Sequence, residues 1–290
     1  EPVRAAIVSF PSSSKLQTRG TQLLELLPPT QPSRLKADDP AGGIAKTDWQ
    51  PIRDFARTVH PTKSVHAHFS EEVPVAFPCI KREFIDFYLA QGKKIVEERL
   101  ARGITLATHL DEMELFAVAV YTMDAQAGDE QNIYVQLNNA LLLRSKDVLP
   151  SFANFLHFLM RGLDKIPPVQ PDPTGPATQL FRGIPAKHLD DVRAKYFDGR
   201  DIHWSSLTSV SFSEQKARSF AGPGGILFKV KARSARPVWE ISAYPEEEEA
   251  ILPPNFKAFV SAALYQPVGD PSIWVIELVE RPDDAKTFYR

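Results

Sequence analysis

The stretch Tyr244–Pro254 reads Y-P-E-E-E-E-A-I-L-P-P, so a run of acidic residues passes directly into an apolar segment. Side chains two positions apart in an extended strand point to the same side. The spacing therefore predicts that Glu247 and Glu249 project from one face, while Glu246 and Glu248 face away. Two carboxylates on one face repel each other unless a cationic partner or a chemical role compensates. The alternative is a solvated acidic turn, although such a turn does not require the apolar residues that follow.

Composition favours a soluble globular protein with a substantial core. The chain has 290 residues and 43% hydrophobic content, which is long for one domain and comfortable for two. Its 34 Lys and Arg residues against 36 Asp and Glu residues give a net charge of -2 without a long basic block. Nucleic acid is therefore not expected as a partner. No apolar stretch is long enough to cross a bilayer, so no membrane span is expected.

Cysteine content bears on the compartment. Cys79 is the only cysteine, which excludes an intramolecular disulfide and a cysteine-ligated metal site. The lack of disulfides is compatible with the cytosol, either for an endogenous protein or for a delivered effector, and the location stays open. The chain starts at Glu1 rather than Met, so we expect that the natural N-terminus and any targeting signal have been removed.

The histidines do not predict a metal site. His60, His66 and His68 cluster in a loop-rich segment without paired carboxylates, which favours a surface tract. His109 precedes acidic residues but lacks the second His of a zinc-binding helix. No metal is therefore expected.

The chain is expected to contain a leader, a helical region and a core. Residues 1–80 are rich in Pro, Ser and Thr and are expected to be partly irregular. Residues 81–166 show helical periodicity and are expected to pack on the core. The Pro-rich connector at 167–176 marks the boundary, and residues 167–290 mix strands and helices without regular βαβ repetition, which predicts an α+β fold. Strands are predicted at 180–183, 207–212, 225–230, 237–241, 250–252, 259–264 and 273–279, and helices at 186–196 and 213–220.

Three separated segments of the core carry polar side chains in a distinctive order. They are Phe181-Arg182-Gly183, then Leu207–Phe212 with Ser209 and Ser211, then Glu247-x-Glu249 with Ser242 and Pro245 before it. This order resembles the arginine-serine-glutamate class of mono-ADP-ribosyltransferases, with Val210 in place of the central Thr. The resemblance covers about residues 105–280 and implies a helical N-terminal part followed by a split β-sandwich catalytic core.

The resemblance implies that NAD is the co-substrate and that a protein is the acceptor. In the implied reaction the nicotinamide glycosidic bond breaks, nicotinamide is released and ADP-ribose is transferred, with arginine as the expected acceptor. Positive charge develops on the ribose in the transition state, and a fixed anion stabilises it. The resemblance implies that Glu249 is that anion and that Glu247 holds the acceptor guanidinium and takes its proton.

The resemblance also implies roles for residues around the dinucleotide. Arg182 would clamp the NAD phosphates, and Gly183 would let the backbone approach the nicotinamide amide. Ser209 would orient Glu249 by a hydrogen bond, with Ser211 on the same strand. The alternatives are that Arg182 is a surface residue, that Gly183 is an ordinary turn glycine, and that the two serines are ordinary strand residues.

Four further residues are candidates for ligand contact. Tyr134 and Asn138, one helical turn apart, match a region that faces the dinucleotide in the iota-toxin branch of the family. Phe228 is a candidate for stacking on nicotinamide, and Tyr244 is a candidate for acceptor recognition. Core packing is the alternative for each of them.

Two other functions stay open at this stage. An NAD glycohydrolase would use water in place of the acceptor, and a catalytically silent interaction module would retain only the fold. A glycosidase is disfavoured because its acid and base face each other across a sugar rather than standing two residues apart on one strand.

Overall fold

The computed structural model describes residues 63–143, 148–172 and 174–281. Most of the predicted leader, including His60, lies outside the described residues. The described end of the leader is helical and comprises α1 (Val65–Ala67), a π-helical turn (His68–Glu72) and α2 (Val73–Ala76). Val65, Phe69 and Val73 are fully buried there, so this segment packs into the helical layer.

The histidines of this segment do not form the predicted surface tract. His68 is fully buried, and its Nδ1 lies 2.7 Å from Glu72 Oε2. Burial lowers the pKa of His68, although the hydrogen bond to Glu72 opposes that change. His66 packs edge-to-face on the ring of Phe116. Within the described ranges, no group of three or more His, Cys, Asp and Glu side chains is arranged to hold a metal ion.

The remaining helices of this layer surround a buried central helix. They are α3 (Arg82–Ala101), α4 (Thr105–His109), α5 (Glu112–Tyr121), α6 (Ile133–Leu143) and α7 (Ala153–Lys165). Helix α5 begins with a capping box, in which Asp111 and Glu114 each accept a hydrogen bond from the other's backbone N–H. Residues 114–121 are all buried, which makes α5 the centre of the layer. Among the described helices, none has the length and apolar character that a bilayer crossing requires.

The described residues from 178 to 280 contain an eight-stranded sheet. Its strands are β1 (Thr178–Ile184), β2 (Asp201–Trp204), β3 (Thr208–Ser211), β4 (Ile226–Ala232), β5 (Arg236–Pro237), β6 (Glu249–Leu252), β7 (Phe256–Tyr265) and β8 (Trp274–Glu280). They are hydrogen-bonded in the order β2-β7-β8-β4-β1-β3-β6-β5. The pairs are antiparallel except for β4 with β8, which is parallel.

The sheet divides at the junction between β1 and β3. Strand β1 pairs with β4 along its whole length, whereas β1 and β3 share one register pair, Phe181↔Ser211. The two faces of β6 serve different cores, because Ala250 packs in the sheet cluster and Ile251 packs in the helical cluster. The predicted α+β class, with a helical part followed by a split β core, is therefore confirmed.

Most predicted core elements are present with shifted ends. The helix predicted at 186–196 is a 3₁₀ turn (Ala186–His188) followed by α8 (Leu189–Lys195). The helix predicted at 213–220 is α9 (Glu214–Ala221), and Ser213 caps it by accepting from the Lys216 N–H as predicted. The predicted strand at 237–241 is wrong beyond Pro237, because β5 ends there. Strand β2 is absent from the prediction because a four-residue edge strand carries too short a pattern.

Helix α9 packs directly on the end of β1 at Gly183. A Cβ atom on Gly183 would lie 1.8 Å from the Ala217 carbonyl oxygen and 2.7 Å from the Ala221 backbone nitrogen. Both neighbours are backbone atoms and cannot rotate away. The close contact between helix and strand therefore requires glycine at this position.

Gly183→Ala is expected to lower the free energy of unfolding by about 3 kcal/mol, because the added methyl group forces α9 away from β1. Urea unfolding followed by far-UV circular dichroism measures this loss. Gly175→Ala is the matched control, since its Cβ would meet only the end of the Gln170 side chain at 2.5 Å. A control loss of under about 1 kcal/mol is expected, and equal unfolding midpoints for the two variants would contradict this packing account.

Candidate active site

The predicted motif residues converge where the sheet divides. Arg182 on β1 donates from Nη1 to the Ser209 carbonyl oxygen on β3 at 2.7 Å. Ser211 on β3 lies directly opposite Glu249, the first residue of β6. All four residues are buried, with exposed fractions of 3% or less. The structure therefore places these four residues on the adjacent strands β1, β3 and β6.

Register places the serines and the carboxylate on one face. Opposed residues in an antiparallel pair share a face, as do residues two apart on one strand. Ser211 is therefore the direct neighbour of Glu249, and Ser209 lies diagonally from it, opposite Ile251. Val210 turns to the other face, where it packs in the sheet core, as expected from alternation. An orienting hydrogen bond from the Ser209 hydroxyl to Glu249 stays a prediction.

The acidic run forms a turn up to Glu248, whereas the predicted alignment of Glu247 with Glu249 assumed extended strand geometry at both residues. Pro245–Glu247 forms a 3₁₀ turn, and Glu248 adopts a left-handed conformation with φ of 49° before β6 begins. Glu247 and Glu249 are nevertheless buried, at 3% and 1% exposed, while Glu246 and Glu248 are exposed. Glu247 and Glu249 are thus buried and Glu246 and Glu248 exposed, as predicted. At Glu247, however, the turn and not the alternation of a strand buries the side chain.

Ser211 fixes the acidic turn to the sheet. Its hydroxyl donates to the Glu247 carbonyl oxygen at 2.7 Å and accepts from the Ser213 N–H at 2.9 Å. The Phe212 N–H donates to the Glu248 carbonyl oxygen at 3.0 Å. The position of Glu247 therefore depends on β3 and on the start of α9.

The helical layer holds the other end of the same turn. Arg99 on α3 donates from Nη2 to the Ser242 carbonyl oxygen at 3.0 Å. Thr122, which follows α5, accepts at Oγ1 from the Ala243 N–H at 2.9 Å. Sequence reasoning missed the role of Arg99, because a cation on an amphipathic helix is typical of a solvated face and its partner lies 143 residues away. Thr122 belongs to the region of resemblance, but no local pattern indicates its partner.

Tyr244 lies within this turn in a half-buried position. Its hydroxyl accepts a hydrogen bond from Gln126 Nε2 at 3.5 Å, so one edge of the ring rests against the segment after α5. The structure therefore describes packing for part of Tyr244, and its contact with an acceptor stays a prediction.

Tyr134 and Asn138 are buried in the helical layer, each at 2% exposed. Asn138 Nδ2 donates to the Tyr121 hydroxyl at 3.1 Å, and the ring of Tyr134 packs edge-to-face with that of Tyr121 at 6.5 Å. The Tyr121 hydroxyl in turn donates to the Leu207 carbonyl oxygen at 3.4 Å, just before β3. These residues therefore connect the helices to the strand that carries the serines, and their contact with NAD stays a prediction.

Phe228 and Gly183 also have structural roles. Phe228 is 2% exposed and packs edge-to-face against Tyr196 and Trp204, with ring centroids 5.3 and 5.8 Å away. It lies directly opposite Arg182 in the β1–β4 ladder. Phe228 is thus packed in the core, and glycine is needed at position 183 because α9 packs on β1 there. Ligand contacts by either residue stay predictions.

Residues 81–275 match the family model described as NAD:arginine ADP-ribosyltransferase. The chain is similar to a protein of Mycobacterium avium (strain 104) whose name assigns it provisionally as an NAD(+)–arginine ADP-ribosyltransferase. The two are 30% identical over 174 residues, which is 59% of this chain and 18% of that protein. Ecto-ADP-ribosyltransferase 5 of Mus musculus is 28% identical over 144 residues, or 48% of this chain and 43% of that protein. The matches thus span less than half the length of these two relatives.

The fold is also similar to that of a solved bacterial protein. The type III effector XopAI from Xanthomonas axonopodis pv. citri aligns with a TM-score of 0.53 at 14% identity. The alignment covers 80% of this chain and 94% of that chain. At this identity the likeness concerns the fold alone.

Thr122→Val is expected to loosen the acidic turn, because valine keeps the side-chain shape but cannot accept from the Ala243 N–H. The free energy of unfolding should fall by about 1 to 2 kcal/mol, and the Ala243 amide should exchange faster with deuterium.

Thr108→Val is the matched control. Thr108 donates to the carbonyl oxygen three residues earlier at 2.8 Å, as Thr122 does at 2.7 Å, but it is exposed. Its loss should stay within about 0.5 kcal/mol. Similar losses in both variants, with unchanged exchange at Ala243, would show that Thr122 does not hold the turn.

Proposed function

This chain belongs to the NAD:arginine ADP-ribosyltransferase family, and from that premise we propose that it transfers ADP-ribose from NAD to an arginine side chain of a protein. The observation that carries the proposal is the convergence of Arg182, the two strand serines and Glu249 where the sheet divides. Glu247 is buried beside them on a turn tied to the same strand. The arrangement suits a reaction that needs both a dinucleotide site and an acceptor site.

Glu249 supplies the fixed anion in this proposal. The bond between ribose C1′ and the nicotinamide nitrogen breaks, its electron pair leaves with nicotinamide, and positive charge develops on the ribose. A buried carboxylate acts on that charge more strongly than one in water. The backbone of Glu249 is held from both sides, because β6 pairs with β3 and the Val238 N–H donates to the Glu249 carbonyl oxygen at 2.9 Å.

Glu247 binds and deprotonates the acceptor. A carboxylate can hold a guanidinium through two parallel hydrogen bonds. As a guanidinium nitrogen forms its bond to C1′, one of its protons passes to the Glu247 carboxylate. Tyr244 stands three residues earlier in the same turn and provides an aromatic contact for the acceptor chain.

Arg182 and its neighbours bind the dinucleotide. A guanidinium is planar, permanently charged and a donor of several N–H groups, which suits it to the NAD phosphates. We assign that role to Arg182, with the Gly183 backbone, Ser209 and Ser211 on the same and the neighbouring strand. Tyr134, Asn138 and Phe228 complete the proposed site. They are as deeply buried as Arg182, Glu247 and Glu249, so binding of NAD and of the acceptor requires a local opening of the site.

Glu249→Ala is expected to reduce both NAD cleavage and transfer by roughly 10² to 10³-fold, because the transition-state charge loses its counter-ion. Glu247→Gln should reduce transfer far more than cleavage, since the amide cannot take the acceptor proton. Nicotinamide release and label transfer from radioactive NAD to agmatine, a free guanidino compound, measure the two activities.

Glu246→Gln is the matched control for both variants, because this exposed neighbour faces away from the site. It should retain both activities. Equal losses of cleavage and transfer in Glu247→Gln would contradict the division of roles. Cleavage by the wild type without any transfer to agmatine would favour the NAD glycohydrolase.

Arg182→Ala is expected to weaken NAD binding by roughly ten-fold or more, because a charge-assisted contact to phosphate is lost. Isothermal titration calorimetry measures the dissociation constant, and an unfolding curve verifies that the variant folds. Arg193→Ala is the control, since Arg193 contacts Asp190 and the ring of Trp274 outside the site. An unchanged dissociation constant in folded Arg182→Ala would remove Arg182 from the NAD site.

A further inference from the structure

A groove beside the acidic turn is lined almost entirely by apolar side chains. Its volume is about 410 Å³. Its walls come from α4, from the connector after α7, from the residue after β3 and from the end of β5, and they include Leu106, Pro167, Phe212, Pro237, Trp239 and Glu240. The groove therefore lies where the helical layer meets the sheet, and its lining includes residues packed against each of the two cores.

Trp239 is the prominent side chain of this groove. It is 40% exposed, although tryptophan buries more apolar surface than any other residue when it is covered. An exposed aromatic residue in an apolar concavity marks a surface that a ligand or partner covers. Tryptophan is also enriched among the residues that contribute most to protein binding.

The walls of the groove are hydrogen-bonded to the acidic turn. Phe212 donates to the Glu248 carbonyl oxygen at 3.0 Å, and Val238, between Pro237 and Trp239, donates to the Glu249 carbonyl oxygen at 2.9 Å. Glu247 precedes these two acceptors in the chain. The groove and the turn that carries Glu247 are therefore linked through backbone hydrogen bonds.

The negative charge around the groove favours a basic peptide segment as its occupant. Glu240 lines the groove, and Glu246 and Glu248 are exposed on the adjoining turn. None of these three carboxylates takes part in an ion pair among the residues that the structure describes. No Lys or Arg lines the groove within the described parts of the chain, so a phosphate-bearing ligand is not favoured there.

We propose that this groove docks the acceptor protein by holding an apolar side chain close to the modified arginine. The occupant is an extended basic segment, in which the apolar residue lies within about four positions of the arginine, because an extended chain advances about 3.3 Å per residue. This inference rests on the proposed arginine transfer. Binding energy gained in the groove would orient the guanidinium on Glu247 and raise the rate for the correct acceptor.

The test compares transfer to agmatine with transfer to two synthetic peptides, K-F-G-R-G-F-K and K-G-G-R-G-G-K, using the full chain. The wild type is expected to prefer the Phe peptide by roughly five-fold or more in kcat/KM, as for a side chain that contributes appreciably to an interface. Trp239→Ala should abolish this preference while transfer to agmatine stays within about two-fold of the wild type. Trp239→Phe should restore most of the preference.

Phe197→Ala is the matched control. Phe197 is an aromatic residue that is 54% exposed and does not line the groove. This variant should keep the wild-type preference for the Phe peptide. If this control also lost the preference for the Phe peptide, the loss seen in Trp239→Ala could not be assigned to the groove.

Several results would overturn the docking proposal while leaving the proposed function intact. One is that the wild type transfers to agmatine but shows no preference between the two peptides. Another is that Trp239→Ala loses transfer to agmatine and to both peptides equally. A wild-type dimer in sedimentation that Trp239→Ala converts to a monomer would assign the groove to a second copy of the chain. Competition by a peptide of residues 21–35 that requires Trp239 would assign it to the chain's own N-terminal segment. No transfer by the wild type to agmatine or to either peptide would overturn the proposed function and this inference together.

Discussion

The site depends on the narrow junction between β1 and β3, where one register pair and the hydrogen bond from Arg182 to the Ser209 carbonyl oxygen join two parts of the sheet. Burial of a guanidinium is costly unless hydrogen bonds compensate. Here the guanidinium bridges two strands that share little else. The pairing of β3 with β6 then sets Ser211 opposite Glu249, so the first residue of β6 is positioned by the sheet.

The acceptor side is built differently. Glu247 stands on a turn that joins the layers, since Ser211 holds it from the sheet while Arg99 and Thr122 hold the preceding residues from the helices. The helical layer therefore helps to position the turn that carries Glu247. The apolar groove lies at the same boundary, and its walls are hydrogen-bonded to the turn. This is why we propose that the groove docks the acceptor protein.

The sequence predicted those features that local patterns determine. Alternation located β3 and β6, the Ser213 cap located α9, and the order of the motifs predicted the fold. Features that arise from distant contacts were not predictable. The left-handed turn at Glu248, the partner of Arg99 and the helix that requires glycine at 183 all depend on segments far apart in the chain. The buried positions of Tyr134 and Phe228 likewise follow from packing and not from local pattern.

A crystal structure of the full chain with NAD tests the central claim most directly. The account predicts that the nicotinamide ribose lies at the β1–β3 junction, with its 2′-hydroxyl within hydrogen-bond distance of the Glu249 carboxylate and the phosphates on Arg182. A dinucleotide bound elsewhere, or bound at the junction with Glu249 turned away from the ribose, would contradict it.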